Sequence, residues 1–523
     1  MSTIPSWVEE IFQLPRPEYP KQAEALLTDL IWRSQGSILS GGGGQPSFLK
    51  ELAKLPRSSK KLPAMDRLIP QRISGGNPDI IETFPIAQTS PITELISIVD
   101  YTPAPTKALL ESILAPRSRG DRSLTCVPIH PQAVVLQTLH GLVNKPEPPN
   151  MAEAIEVVGR LGGSDRKGAV ASRFLQIVSQ TTRANEGLTG LLDAMFAHIS
   201  KHVWGTLPTL PTVEPPSPGQ SPRSLPDWPP VIAPSIGSAE GDLLMAANRS
   251  TPFRWFWHKW VTLCDPAAGW IETLPARRFI DWALCLLRTG LAFAYLWEAD
   301  FFCKLHACIM EYERSGFQSS TLDILRRTMH EGAVLATINP PNVPTTQKDA
   351  WEALRGLLAR GYEARERIKN HLARSAPSSL PASSFVPLDE AWLASIPSQD
   401  LAAVAAPLEV KTDTAKNTKY FVRYLLQPRS SDDDSVDQAD FYYLARTNSA
   451  NFWLEPGPEW LVVVAGLLCR RPGGQCTLGM LLNDLATLGI RVERSILVGM
   501  LEEAGLSMDS PDADEALVIK SAF

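Results

Sequence analysis

At 523 residues, 44% hydrophobic and 20% charged, the chain has the balance of a globular protein with room for several domains. A formal net charge of −6 excludes a whole-protein electrostatic grip on nucleic acid and leaves only local basic patches for that role. Seven scattered cysteines exclude a disulfide framework, and the opening MSTIPSWVEEIFQLPRPEYP lacks the basic-then-apolar pattern of a secretory signal, so a reduced, cytoplasmic setting is expected.

The first segment, to about Gln35, reads as an amphipathic helix, with Ala23, Leu26, Leu27, Leu30 and Ile31 at helical spacing. SGGGGQPS follows. A glycine-rich turn before a helix can cradle phosphate, but the Lys-Ser or Lys-Thr of a P-loop is missing, so a loop is expected. Between Lys50 and Arg72 the chain turns basic, with Lys54, Arg57, Lys60, Lys61 and Arg67 against Glu51 and Asp66. Such a cluster is either a solvated face or a surface for phosphates; Lys54, Lys60 and Lys61 are the candidates for the second role. Short apolar runs then alternate with proline turns from Ile92 to Val143.

Met151 to Trp204 is predicted as three helices with breaks at Gly162-Gly163 and near Gly187, and their short connections imply antiparallel neighbours. Lys167-Gly168 stand in the wrong order for a phosphate loop. His198 and His202 share a helix face, a geometry that can bind metal, but Ile199 stands where H-E-x-x-H needs its glutamate. The N-terminal helical region is therefore 1–204. Proline density over 205–241 keeps the chain extended and marks a linker or long surface loop.

The next region, 242–374, carries Trp255, Trp257, Trp260, Trp270, Trp282 and Trp297, and is predicted as a buried tryptophan-rich helical core. Pro275 starts a long helix reaching about Tyr312, apolar nearly all round. Arg288, between Asp281 and Glu298, cuts its apolar run short of the roughly 20 residues a membrane span needs, so a core helix and no membrane are expected, with Arg288 paired to a carboxylate. Cys264, Cys285, Cys303, His306 and Cys308 lack the C-x2-C pairing of zinc sites and read as small buried hydrophobes. Thr321 to Ile338 is predicted as a helix. Thr346 to Arg374 is a longer one, whose Arg360, Arg365 and Arg367 are further candidates for nucleic-acid contact on a face of mixed charge.

A second linker, 375–388, leads to a mixed segment, 389–457. There Lys416 to Gln427 is predicted as a strand, and two aromatic runs flank the turn residues Thr447-Asn448-Ser449 as a hairpin. The last stretch, 458–523, reads as three helices, GPEWLVVVAGLLCR, CTLGMLLNDLATLGI and VERSILVGMLEEAGL, followed by an ALVI run pairing back through an SPDAD turn. This order resembles a winged-helix domain. The resemblance implies docking through the third helix, to DNA in many such domains. Here Glu493, Glu502, Glu503, Asp509, Asp512, Asp514 and Glu515 make that surface acidic, which favours a protein over phosphate; Arg494, Leu497 and Met500 are the candidate partner-binding residues.

No G-x-S-x-G elbow, dinucleotide fingerprint, kinase set or paired-cysteine site occurs. The fold class expected is mainly α, several domains with a small C-terminal α+β part. The function expected is a non-catalytic adaptor or scaffold subunit of a cytosolic multi-protein assembly, with protein partners and no cofactor. The alternatives are a DNA- or RNA-associated accessory subunit, of a bacterial genome-maintenance or antiviral (phage) defence system, and an enzyme of unrecognised type.

Overall fold

A computed structural model describes residues 14, 26, 27, 30, 151–164, 168–171, 173, 174, 177, 251–316, 334–338, 344–372, 393, 394, 396–408, 420–428, 442–447, 452–506 and 517–523. The glycine-rich turn, the basic stretch with Lys54, Lys60 and Lys61, the pair His198 and His202, and the segments 205–241 and 375–388 lie outside them. Over the described residues the protein is mainly α, about 71% helical. Met1–Leu26, Pro149–Ile177 and Glu240–Phe523 form one compact unit; of the other, Leu27–Pro148 and Val178–Ala239, the described residues are Leu27 and Leu30, both helical and buried.

The larger unit runs α1 (Met151–Leu161), α2 (Pro252–Leu263), α3 (Trp270–Thr273), α4 (Ala276–Ser315), β1 (Ala336–Ile338), α5 (Pro344–Leu372), α6 (Ser398–Ala405), β2 (Ala445–Thr447), β3 (Phe452–Leu454), α7 (Pro458–Leu468), β4 (Gln475–Thr477), α8 (Leu478–Leu488), β5 (Ile490–Val492), α9 (Arg494–Glu503) and β6 (Val518–Lys520). Local chemistry sets several of these ends. The Thr251 hydroxyl accepts from Arg254 N–H and Pro252 opens α2; the Thr477 hydroxyl accepts from Met480 N–H at 3.2 Å and Gly489 closes α8.

The axis of the unit is α4, 40 residues long, against which α1, α2, α5, α6 and α7 pack. Arg278–Ser315 has the length and composition to cross a membrane, and 89% of its apolar window is buried inside the unit. Trp260, Trp270, Trp282 and Trp460 are fully buried around it. Three of these indoles also donate: Trp260 to Val170 O at 3.0 Å, Trp270 to Arg470 O at 3.2 Å, and Trp460 to Thr289 Oγ1 at 3.0 Å. The rings thus bury their area without stranding those N–H groups. Trp282 sits against Trp270 and the C-terminal Phe523, with centroids 5.1 and 5.8 Å away.

A buried arginine caps a helix. Arg288 donates to Leu425 O at 2.8 Å and to Gln427 O at 2.5 Å, at the C-terminal end of the helix at 420–426. Carbonyls at a helix C-terminus carry partial negative charge and orphan acceptors, so they serve a guanidinium as a carboxylate would. At Gly361, an added Cβ would lie 2.4 Å from Ala299 Cα; only hydrogen lets α5 approach α4 this closely.

Three two-stranded pairings occur among the described residues. β2 and β3 pair antiparallel with Thr447 opposite Phe452, which is the predicted hairpin. β1 pairs in parallel with β5, Ala336 opposite Ile490. Residues 336–338 are therefore a strand and not the end of the helix predicted over Thr321 to Ile338; 317–333 lie outside the described residues. The strand predicted over Lys416 to Gln427 is also corrected, because 420–426 are helical. Phe421, Val422, Leu425 and Leu426 are buried together, the spacing of one helix face, and this periodicity outweighs their aromatic and β-branched character.

Candidate functional site

The three C-terminal helices are not separate from the tryptophan-rich region; they share its core. α7 packs on α2 and α4, and α8 packs on α2. Apart from its first turn α7 is apolar on every side, and Trp460 through Leu467 are buried. A polar cluster fixes this junction. Lys259, 4% exposed, places its ammonium 3.0 Å from Asp484 Oδ2 and donates to Val464 O at 3.3 Å, while Trp255 Nε1 donates to the same Asp484 oxygen at 2.9 Å. One carboxylate on α8 thus answers both a buried cation and a buried indole on α2.

This packing decides which face of α9 looks outward. Leu497 and Leu501, four apart, are fully buried. α9 packs on α7. Glu493, Arg494, Ser495, Glu502 and Glu503 are exposed, and Ile496, Val498, Gly499 and Met500 are half-buried. Of the three partner-binding candidates, Arg494 is on the surface and Met500 at its margin. Leu497 is interior, since its side chain falls on the stripe facing the core. The residues sequence reading passed over are Ser495 and Gly499, which share the outward face with Glu502 and Glu503; heptad-like counting from Leu497 and Leu501 would have found them. An added Cβ at Gly499 meets no described atom within 4 Å.

β6 joins this region through β4, Cys476 opposite Ile519, with Ser521 N–H donating to Gly474 O at 3.0 Å. The ALVI run was expected to pair back across the SPDAD turn; its described part pairs with the strand before α8, and 507–516 lie outside the described residues.

The arginines expected to touch nucleic acid fare unequally. Arg365 is 4% exposed and faces Glu298 across α4 and α5, with Nε 3.2 Å from Oε1, and also donates to Leu14 O at 2.5 Å. Its charge is spent inside the core. The Nε and Oε1 atoms are close but not aligned as a hydrogen bond; the hydrogen bond of this pair runs from Arg365 Nη1 to Glu298 Oε2 at 3.5 Å. Burial pushes the Glu298 carboxyl up to about 7, against the pull of Arg365. Arg367 caps α6 by donating to Ala406 O and, at 3.0 Å, to Pro407 O. Arg360 stays exposed, as do Arg355, Lys369 and Glu352 elsewhere along α5.

Two anion or metal readings are answered locally. Near Lys167-Gly168, the helix N-terminus that could hold phosphate is filled by the protein's own Glu156, whose carboxylate accepts from Gly168, Val170 and Ala171 N–H at 2.9, 3.3 and 2.9 Å. Cys303 donates to Leu357 O at 3.9 Å and His306 Nε2 lies 3.3 Å from Ala406 O, so they face different partners. Among the described residues no three His, Cys, Asp or Glu side chains are grouped to hold a metal ion. No family model matches the chain, and neither does any curated protein or solved structure.

Proposed function

We propose that this protein is a non-catalytic adaptor, a scaffold subunit of a cytosolic multi-protein assembly, and that it docks a protein partner on the outward face of α9 within a winged-helix-like C-terminal module. The observation that carries the reading is the composition of that face. Glu493, Glu502 and Glu503 outnumber Arg494 there, and the half-buried apolar Ile496, Val498 and Met500 lie along its two margins. An acidic surface repels phosphate, whereas an acidic face with half-buried apolar margins suits a protein bearing Lys or Arg beside apolar side chains. The burial of the long apolar helix α4 inside the unit supports its reading as a core helix rather than a membrane span.

Gly499→Arg tests this without unfolding the module, because Arg is a better helix former than Gly and the added side chain enters open space. Tagged wild-type protein expressed in its native host is expected to retain a partner at defined stoichiometry. The variant should keep its melting temperature and recover at least tenfold less of that partner. Equal recovery with both proteins would overturn the assignment of the α9 face. Salt-sensitive binding of the purified wild-type chain to duplex or single-stranded DNA would shift the function to the nucleic-acid reading, through Arg355, Arg360 and Lys369.

A further inference from the structure

The outward face of α9 suits a surface that carries Lys or Arg beside apolar side chains, and the same module displays one at the turn from α7 into β4. Arg470, Arg471 and Lys520 are exposed there, with Pro472 and Phe523 half-buried. Backbone bonds gather these residues into one corner. Gln475 stands opposite Lys520 across β4 and β6, Ser521 N–H donates to Gly474 O at 3.0 Å, and Gly473 N–H donates to Phe523 O at 2.5 Å. The Phe523 ring rests against Trp282, 5.8 Å between centroids, and under the Arg278 guanidinium at 6.0 Å. Arg278 is itself paired with Glu459 at 2.7 Å. Among the described residues no Asp or Glu side chain forms an ion pair with Arg470, Arg471 or Lys520.

The backbone at Arg470 is a second, independent feature of this corner. Among the described residues it is the one non-glycine with positive φ, 67°. It directly follows Cys469, the C-cap of α7, at the position where glycine commonly ends a helix because a Cβ is strained in the left-handed region. The Arg470 carbonyl accepts from Trp270 Nε1 at 3.2 Å, and that bond needs the left-handed turn but not the arginine side chain. Glycine would make the same bond without strain. The side chain held there at a cost projects an exposed positive charge beside that of Arg471.

We infer that this basic corner docks the α9 face of a second copy of the chain, so that copies associate head to tail. The inference rests on the α9 reading above and names its occupant; the partner retained from the host is then the untagged chain itself. Arg470, Arg471 and Lys520 answer Glu493, Glu502 and Glu503, while Pro472 and Phe523 offer apolar surface to the Ile496, Val498 and Met500 margins. Opposite charges steer the encounter and set its register, and the apolar margins add buried area. A nucleic acid would use the corner alone and leave the acidic α9 face without a role. Because the two surfaces differ, the contact is heterologous, and repeating it builds a ring or an open chain of copies.

The test is sedimentation of the purified full-length chain at low and high salt. The expected mass exceeds that of the monomer at low salt, grows with protein concentration, and falls to the monomer at high salt. Arg471→Glu with Lys520→Glu, and separately Glu502→Lys with Glu503→Lys, should each weaken association about tenfold or more. The second pair lies in the last turn of α9, where cations suit the helix end. An equimolar mixture of the two double variants should associate again, since each carries the charge the other lost. Arg470→Gly should melt no lower than the wild type and yet associate more weakly, which separates the side chain's docking role from the turn's structural one. A wild-type chain that is monomeric at low salt overturns the inference, as does association that both double variants retain or a mixture that stays monomeric. Binding of single-stranded DNA by a monomeric chain, lost in Arg471→Glu with Lys520→Glu, would assign the corner to nucleic acid instead. Failure of the α9 reading looks different, being equal partner recovery by wild type and Gly499→Arg. A monomeric chain that captures a host protein in a Gly499-dependent way overturns the second copy as occupant and leaves the α9 face standing.

Discussion

Asp484→Ala is expected to cost about 3–5 kcal/mol of folding stability, as is usual when one partner of a buried ion pair is removed. The reason is specific to the junction of α2 and α8. The ammonium of Lys259 lies in the interior with Asp484 Oδ2 at 3.0 Å and Val464 O at 3.3 Å, and Trp255 Nε1 uses the same carboxylate. Without the carboxylate the cation keeps one carbonyl, and the indole N–H loses its acceptor. Urea denaturation of the full chain, followed by tryptophan fluorescence, reads the loss. Adding Lys259→Met to Asp484→Ala should recover much of it, because a buried pair replaced by apolar groups of similar volume is often close to neutral. If Asp484→Ala unfolds at the wild-type midpoint, the polar cluster is not holding the C-terminal helices to the tryptophan-rich helix.

The second large effect is a pH dependence set by Glu298. Its carboxyl is raised from 4.5 to about 7, first by burial, with Arg365 opposing. A carboxyl raised in the folded state binds its proton more tightly there than in the unfolded chain. The stability it contributes is therefore full below about pH 4.5 and is lost as pH rises through about 7. Relative to Glu298→Gln, which keeps the shape and cannot ionise, the wild-type protein should lose up to about 3 kcal/mol across that window. Denaturation midpoints of the two proteins at several pH values between 4.5 and 7.5 give the difference directly. Parallel curves would mean that Arg365 already holds Glu298 ionised at the lower end.

How much of this was legible in the sequence depended on distance along the chain. α4 was readable because Pro275 starts it and apolar residues fill every face; the α9 stripe was readable in the four-residue spacing of Leu497 and Leu501. The hairpin at 445–454 was marked by its turn residues. The helix at 420–426 was misread because Tyr420, Phe421, Val422 and Tyr424 have strand-like chemistry, while its burial pattern depends on α4 beside it. The parallel pairing of β1 with β5 joins segments about 150 residues apart, and no local periodicity announces such a contact. The same holds for Trp255 and Asp484, 229 positions apart. Arg365 illustrates the cost: on a helix of mixed charge it looked like one of several surface cations, and only Glu298 and Leu14 reveal it as an interior one.

The central claim is that α7 and α8 belong to the tryptophan-rich core, so that α9 presents its outer face from a rigid platform rather than from a tethered domain. Amide hydrogen exchange on the full-length chain tests it most directly. The account predicts that α7, α8 and the middle of α4 open with the same free energy, so their slowest amides exchange together and are accelerated together by Asp484→Ala. Exchange of α7 and α8 about a thousandfold faster than α4 would contradict it, because the C-terminal helices would then open as a unit of their own.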